Sequence, residues 1–183
     1  NSDKFPFLKN VVFIGDIPYN GMYTWDDLMA KADLISPGEL REREESLDFD
    51  DAVNIQYTSG TTGFPKGVVL THHNVLNNGF IIGEGMKFTH EDRLCIPVPF
   101  YHCFGMVLSN MAAVTHGTAM VLPAPVFNAE SVLQTVQDEK CTALHGVPTM
   151  FIAELAHPDF AKYRLDTLRT GIMAGSPCPT EVM

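Results

Sequence analysis

From Gly67 to Ala174, short β-branched runs alternate with helical stretches of about a dozen residues, and this rhythm restricts the fold more than any other feature of the chain. Strands separated by helices of that length pair in parallel through right-handed crossovers. The pattern predicts strands at Gly67–Thr71, Leu94–Val98, Thr118–Leu122, Thr142–His145 and Leu168–Ala174. Helices are expected from about His72, over Phe104–His116, over Asn128–Lys140 with Val132, Leu133 and Val136 on one face, and from Pro148 to Leu155. Thr71 is placed to cap the first of these, because its hydroxyl can accept from a backbone N–H two or three residues on. The expected fold class is α/β, with parallel-sheet βαβ units and flanking helices.

The residues before this region are less regular. Val11–Asp16 reads as a short strand with a turn signal, Thr24 as the cap of a short helix, and the charge-dense run Glu39–Glu45 as a solvated linker. Val53–Tyr57 alternates as a strand. The expected organisation is linker and short elements over residues 1–49 and a partial domain over 50–183. The segment Gly175–Glu181 reads as a strand exit leading to a helix, with Pro179 suited to a first helical position, yet the chain stops at Met183. It is therefore expected to be a segment of a longer protein.

Composition narrows the function classes. With 45% hydrophobic and 19% charged residues, general disorder is excluded. Twelve basic against 22 acidic residues give a net charge of −10, which argues against a nucleic-acid or anionic-membrane surface. No apolar run is long enough for a membrane helix. Residue 1 is Asn and no leader is visible. Cys95, Cys103, Cys141 and Cys178 form no C-x-x-C pair and lie in apolar stretches, so free buried thiols in a reducing compartment are expected. The cytoplasm is the expected location, with the mitochondrial matrix as the alternative. Nothing in the sequence indicates an oligomeric state.

The segment Tyr57-Thr58-Ser59-Gly60-Thr61-Thr62-Gly63-Phe64-Pro65-Lys66-Gly67 carries the chemistry. Gly60, Gly63 and Gly67 are expected to admit positive φ and close backbone approach, and successive N–H groups in such a turn form a nest for an anion. Thr58, Ser59, Thr61 and Thr62 add hydroxyls, and Lys66 adds a compact positive charge. An ordinary turn explains the glycines but not four hydroxyls and a lysine. The order also departs from a Walker A loop, since Pro65 precedes Lys66 and a strand, not a helix, follows Gly67. The adjacent His72-His73 pair cannot face one metal as residues four apart on a helix can, and no zinc site is expected.

This loop resembles the signature of the adenylate-forming (AMP-binding) superfamily, which includes acyl-CoA synthetases, luciferases and peptide-synthetase adenylation domains. Three later segments follow the same order. Pro99–Gly105 resembles the aromatic-His segment beside the acyl pocket, and His145–Phe151 the start of the substrate-tunnel helix. Ala174-Gly175-Ser176-Pro177 resembles the adenine-binding turn, with Ala174 in place of the first of two glycines. The similarity is strongest to medium-chain fatty acyl-CoA synthetases and runs from about Asp50 onward.

The resemblance implies ATP-dependent activation of a carboxylic acid to an acyl-adenylate with release of pyrophosphate, then transfer to coenzyme A. Thr58, Ser59, Gly60, Thr61, Thr62, Gly63 and Lys66 would hold phosphates, with Lys66 and Thr61 acting in catalysis. Gly175, Ser176 and Pro177 would border the adenine. His102 would position the carboxylate or its adenylate, without serving as a base, because a carboxylate is already ionised at neutral pH. Val147 and Pro148 would contact the acid, and Met106, Val107, Met111, Val147 and Met150 would line an acyl tunnel. The Mg2+ ligand is expected outside this segment, and the segment alone is expected to be inactive. The alternatives are a nucleotide or acyl-binding module without catalysis, adenylation of another carboxylate without coenzyme A, and a kinase or NTPase with an unusual phosphate loop.

Overall fold

The computed structural model describes residues 3–15, 19–58 and 63–182, which fall into two units, Asn1–Asp48 and Phe49–Met183. In the first unit, β1 (Val12–Phe13) pairs in parallel with β2 (Tyr23–Thr24), and α1 (Trp25–Met29) follows directly. Thr24 and Asp27 form the capping box of α1, reciprocally satisfying two backbone N–H groups. The charged run expected to be linker is instead α2 (Pro37–Glu45). Its start signal is Ser36-Pro37, with Glu39 returning its carboxylate to the Ser36 N–H. Glu, Leu and Arg are good helix formers, so a helix with no buried residue remains both helical and solvated.

The second unit opens with an antiparallel pair, β3 (Ala52–Thr58) and β4 (Lys66–Thr71). This hairpin forms its own two-stranded sheet, and β4 runs into α3 (His72–Met86). Thr71 caps α3 as expected, accepting from the Asn74 N–H while Asn74 accepts from the Thr71 N–H. The remaining strands, β5 (Arg93–Cys95), β6 (Ala119–Val121), β7 (Ala143–Gly146) and β8 (Thr170–Met173), form one parallel sheet in the order β6-β5-β7-β8. The connections carry α4 (Ala112–His116), α5 (Ala129–Asp138) and α6 (Pro148–Leu155). These are the expected parallel units, with strands shorter than the apolar runs that announce them. Cys95 and Cys141 are buried free thiols, whereas Cys103 is exposed, contrary to expectation.

Successive residues of β5 face opposite sides of the sheet. Leu94 packs with Met86, Phe88, Phe104 and Ala112 on the side of α3 and α4, and Cys95 packs with Val132 and Val136 of α5 on the other. The expected apolar helix over Phe104–His116 is present, but its first eight residues, Phe104–Met111, form a π-helix that continues into α4. A contact of matching span lies there: the Ser109 hydroxyl donates to the Phe104 carbonyl five residues back. Beside this helix, a Cβ on Gly79 would lie 2.4 Å from the Met111 Cβ, and one on Gly83 would lie 2.3 Å from the His116 ring. These two glycines let α3 run parallel to and close against it.

One ion pair ties the strand beginnings together. The Asp92 carboxylate accepts from Thr89 N–H at 2.8 Å, Thr142 hydroxyl at 2.6 Å and Arg169 Nε at 2.9 Å. Arg169 also donates to the Met86 and Lys87 carbonyls at the end of α3. Burial alone would raise the Asp92 pKa; hydrogen bonds from Arg169, Thr142 and Thr89 outweigh it and bring the carboxyl down to about 2. Within α6, Glu154 is buried beside a cavity of about 180 Å³ lined by Leu133, Phe151 and Leu168, and burial pushes its carboxyl up to about 7.

Two stability predictions follow from opposite signs. Arg169→Met leaves Asp92 unpaired and is expected to cost ~3 kcal/mol in urea unfolding at pH 7. The Asp92 contribution is complete above the ordinary value of 3.8 and is lost as pH falls through about 2, so Asp92→Asn flattens that limb of the stability curve. Glu154 acts the other way: its neutral form is favoured by folding, so it lowers stability as pH rises from 4.5 to about 7. Glu154→Gln is expected to stabilise the protein by ~2 kcal/mol more at pH 8 than at pH 5, read from thermal or urea midpoints.

Candidate active site

The four parallel strands all end on one side of the sheet. There β5 sends its connection toward β6, and its neighbour β7 sends its own toward β8. Connections leaving in opposite directions open a crevice at the carboxyl ends of the strands, where open α/β sheets bind ligands. The π-helix begins at this end, and the N terminus of α3 lies beside it: His72, Val75 and Leu76 face Met106 and Met111 across a cavity of about 340 Å³. The hairpin fused to α3 therefore joins the same side, and Asn54 of β3 reaches Met106 through its side-chain amide.

At the mouth of the hairpin, Thr58 and Lys66 are direct cross-strand partners, both exposed. Opposed residues of this kind hold their Cβ atoms about 5 Å apart, so a hydroxyl and an ammonium flank the ends of the loop. Gly63 lies within that loop at φ +133°, in the region that side-chain-bearing residues avoid. The expectations for Ser59, Gly60, Thr61 and Thr62 lie outside the described residues. Gly67 does not take positive φ. It sits in β4, where a Cβ would come within 3.2 Å of Ile55 and 3.4 Å of the Tyr57 ring, so close approach is what it supplies.

On the sheet, two of the expected segments meet. Gly175 takes φ +94° after β8, and a Cβ there would lie 3.1 Å from Val147 Cγ1. The Ala174 N–H donates to the Gly146 carbonyl, locking this turn to the end of β7. Ser176 and Pro177 are exposed beyond it, and the Cys178 thiol donates back to the Met173 carbonyl at 3.3 Å. Val147 caps α6 in extended backbone and Pro148 occupies the first helical position, where its missing N–H costs nothing.

His102 is exposed on the connection from β5, immediately before the π-helix. Its Nδ1 accepts from the Phe104 N–H at 3.1 Å, which fixes the neutral ring as the Nε2–H tautomer. Beside this segment, Pro97–Tyr101, Leu122, Pro125–Phe127 and Met150 line an open, largely apolar cleft of about 500 Å³. The five tunnel candidates do not share one cavity. Met150 lines this cleft, Met106 and Met111 line the smaller cavity against α3, and Val107 is buried.

Two polar groups next to the site carried no site role in the sequence reading. His145, at the end of β7, and Ser109, in the π-helix, are both fully buried, with His145 Nδ1 2.8 Å from Ser109 Oγ. Burial lowers the His145 pKa to about 4, keeping the ring neutral. A histidine within Ala143-Leu144-His145-Gly146 and a serine within an apolar helix were the available signals. Among the described residues, no three His, Cys, Asp or Glu side chains cluster as metal ligands, and no helix is long and apolar enough to cross a membrane.

The structure of the anthranilate CoA ligase AuaEII in complex with anthranoyl-AMP is similar to this fold, with TM-score 0.77 and 25% identity over 97% of the chain and 33% of that protein. YngI of Bacillus subtilis (strain 168), provisionally named an acyl-CoA synthetase, is 60% identical over the whole chain and 33% of its own length. The mitochondrial medium-chain acyl-CoA ligase ACSF2 of Danio rerio is 41% identical over the whole chain and 30% of its length. The chain thus spans about a third of the relatives it matches. A family model described as AMP-binding enzyme matches residues 9–183, well ahead of the point near Asp50 where the motifs begin, and the chain belongs to that family.

Proposed function

We propose that this chain forms the phosphate-holding and acid-positioning part of an acyl-CoA synthetase that adenylates a carboxylic acid with ATP. The observation that carries the proposal is the hairpin mouth, where Thr58 and Lys66 stand opposite each other around a Thr- and Gly-rich loop with Gly63 at positive φ. Such a loop offers backbone N–H groups, hydroxyls and one cation to phosphate oxygens. In the reaction, a carboxylate oxygen attacks the α-phosphorus and the bond to the pyrophosphate oxygen breaks. The developing negative charge on the leaving group is the charge that Lys66 and the loop N–H groups are suited to meet, with Ser59, Gly60, Thr61 and Thr62 assigned to the same task. Coenzyme A thiol then attacks the acyl carbonyl carbon and AMP leaves.

The turn at Gly175-Ser176-Pro177 is assigned to the adenine, whose flat ring needs the close backbone approach that a residue without Cβ allows. Val147, which lies against Gly175, and Pro148 after it are assigned to the acid. His102, whose Nδ1 is taken by the Phe104 N–H, is assigned as an Nε2–H hydrogen-bond donor for the carboxylate or the acyl-adenylate. Mg2+ would spread phosphate charge when bound; we assign its ligand outside this segment. A fatty acid is the favoured substrate on the similarity to ACSF2, and an aromatic acid is the competitor on the similarity to AuaEII. We assign the cytoplasm as the compartment, with the mitochondrial matrix as the alternative.

The test is carboxylate-dependent exchange of labelled pyrophosphate into ATP by the natural full-length protein, across fatty and aromatic acids. Exchange that requires an acid supports the proposal and names the substrate class, whereas a folded, ATP-binding protein that exchanges with no acid overturns it. Lys66→Ala is expected to slow exchange about 100-fold with an unchanged melting temperature. His102→Ala is expected to raise the KM for the acid about tenfold while the KM for ATP moves less than about twofold.

A further inference from the structure

We propose that Ser109 and His145 are positioning residues for His102, holding its ring in place through the backbone of Phe104, whose carbonyl and N–H lie in successive peptide groups. The inference rests on the reading of His102 as a site residue and adds the buried groups that orient it.

The contacts form one chain. His145 Nδ1 lies 2.8 Å from Ser109 Oγ, the Ser109 hydroxyl donates to the Phe104 carbonyl at 3.1 Å, and the Phe104 N–H donates to His102 Nδ1 at 3.1 Å. A serine hydroxyl has a single hydrogen. If that hydrogen serves the Phe104 carbonyl, the contact with His145 requires Nδ1–H of the imidazole to donate into Ser109 Oγ. One tautomer of His145 therefore satisfies both contacts, and the donors run in one direction, from His145 through Ser109 and Phe104 to His102.

The other polar neighbour of His145 is the Met86 thioether, 3.2 Å from Nε2, an acceptor that receives no proton from this tautomer. His145 is 0% exposed, and its ring stacks on Phe88 at 6.4 Å and lies tilted against Phe104 at 5.7 Å. No acid faces it, and neutrality is what burial enforces. It cannot reach a ligand, and an apolar residue would fill the same space without the cost of burying an imidazole and a hydroxyl. What an apolar pair would lose is the hold on the Phe104 carbonyl. That carbonyl stands at the first turn of the π-helix, one residue beyond the Cys103 that follows His102. Gly105 pins the same turn from the other side: a Cβ there would lie 2.3 Å from the Pro99 carbonyl oxygen. With the turn fixed, the Phe104 N–H is aimed at His102 Nδ1, and Nε2–H is the donor left for a ligand.

The test is a double-mutant cycle in the natural full-length protein, read by acid-dependent pyrophosphate exchange. Ser109→Ala is expected to raise the KM for the acid about tenfold while leaving the KM for ATP within about twofold, and Ser109→Thr, which restores the hydroxyl, is expected to recover most of the loss. In a His102→Ala background, Ser109→Ala is expected to have no further effect. His145→Phe, which keeps a ring in the aromatic stack, is expected to behave like Ser109→Ala. Nitrogen-15 NMR of labelled histidine gives a readout independent of rate: His102 is expected to be the Nε2–H tautomer in the wild type and a mixture in Ser109→Ala. The inference is overturned if Ser109→Ala is silent, if it costs the same factor with and without His102, or if the His102 tautomer does not change. A silent His102→Ala removes the reading of the site itself, a result distinct from these.

Discussion

The Asp92–Arg169 pair is the constraint on which the sheet depends. Its carboxylate gathers Thr89 from the turn before β5, Thr142 from the turn before β7 and Arg169 from the turn before β8, and Arg169 extends the contact to the last carbonyls of α3. Three segments far apart in sequence, residues 86–92, Thr142 and Arg169, are thus fixed at the end where the strands begin. The carboxylate is buried with its acceptor sites occupied, the condition under which a buried charge is tolerated. Because parallel strands share a direction, fixing their starts also fixes their ends. The opposite edge, where the turns must carry irregular backbone, inherits its geometry from an ion pair that touches no ligand.

At that opposite edge the chain uses three different ways of presenting groups. The hairpin holds Thr58 and Lys66 across a ladder of its own, outside the parallel sheet. The turn after β8 brings Gly175 against Val147 through van der Waals contact. His102 is held by a hydrogen bond from the start of a helix. The acidic balance of the chain as a whole, at net charge −10, makes the local placement of Lys66 the more notable, since nothing in the global field favours an anion.

Much of this could be read in the sequence where local chemistry alone decides the outcome. Pro148 fixes the start of α6, and Thr71 with Asn74 fixes the start of α3, so both were legible. The loop at Tyr57–Gly67 announced itself by composition and strands were expected on either side, but Gly67–Thr71, expected among the parallel strands, instead pairs antiparallel with β3 in a sheet of its own. What was not legible depended on partners distant in sequence. Asp92 and Arg169 are 77 residues apart and look like ordinary surface charges until folded. The tunnel candidates Met106 and Met150 are both apolar and near helix starts, yet they line separate cavities, Met106 with α3 and Met150 with the segments after β5 and β6. Glu39–Glu45 was misread because charge was weighed above Ser36-Pro37 and Glu39, which are start signals for a helix that has no need of a core.

The π-helix between Phe104 and Met111 has a consequence for how this segment can vary. Each residue advances an α-helix by about 100°, and a π-helix accommodates more residues in each turn. Removing one residue from this stretch while keeping α4 docked against α3 would let an α-helix close in its place, and because the wider turn already holds the extra residue, the upstream side, His102 included, would keep roughly its direction. One residue of length is therefore stored here without turning the chain. Substitutions in the apolar positions can be absorbed by repacking and a single deletion by closure of the α-helix, and what the extra residue supplies is the five-residue reach from the Ser109 hydroxyl to the Phe104 carbonyl.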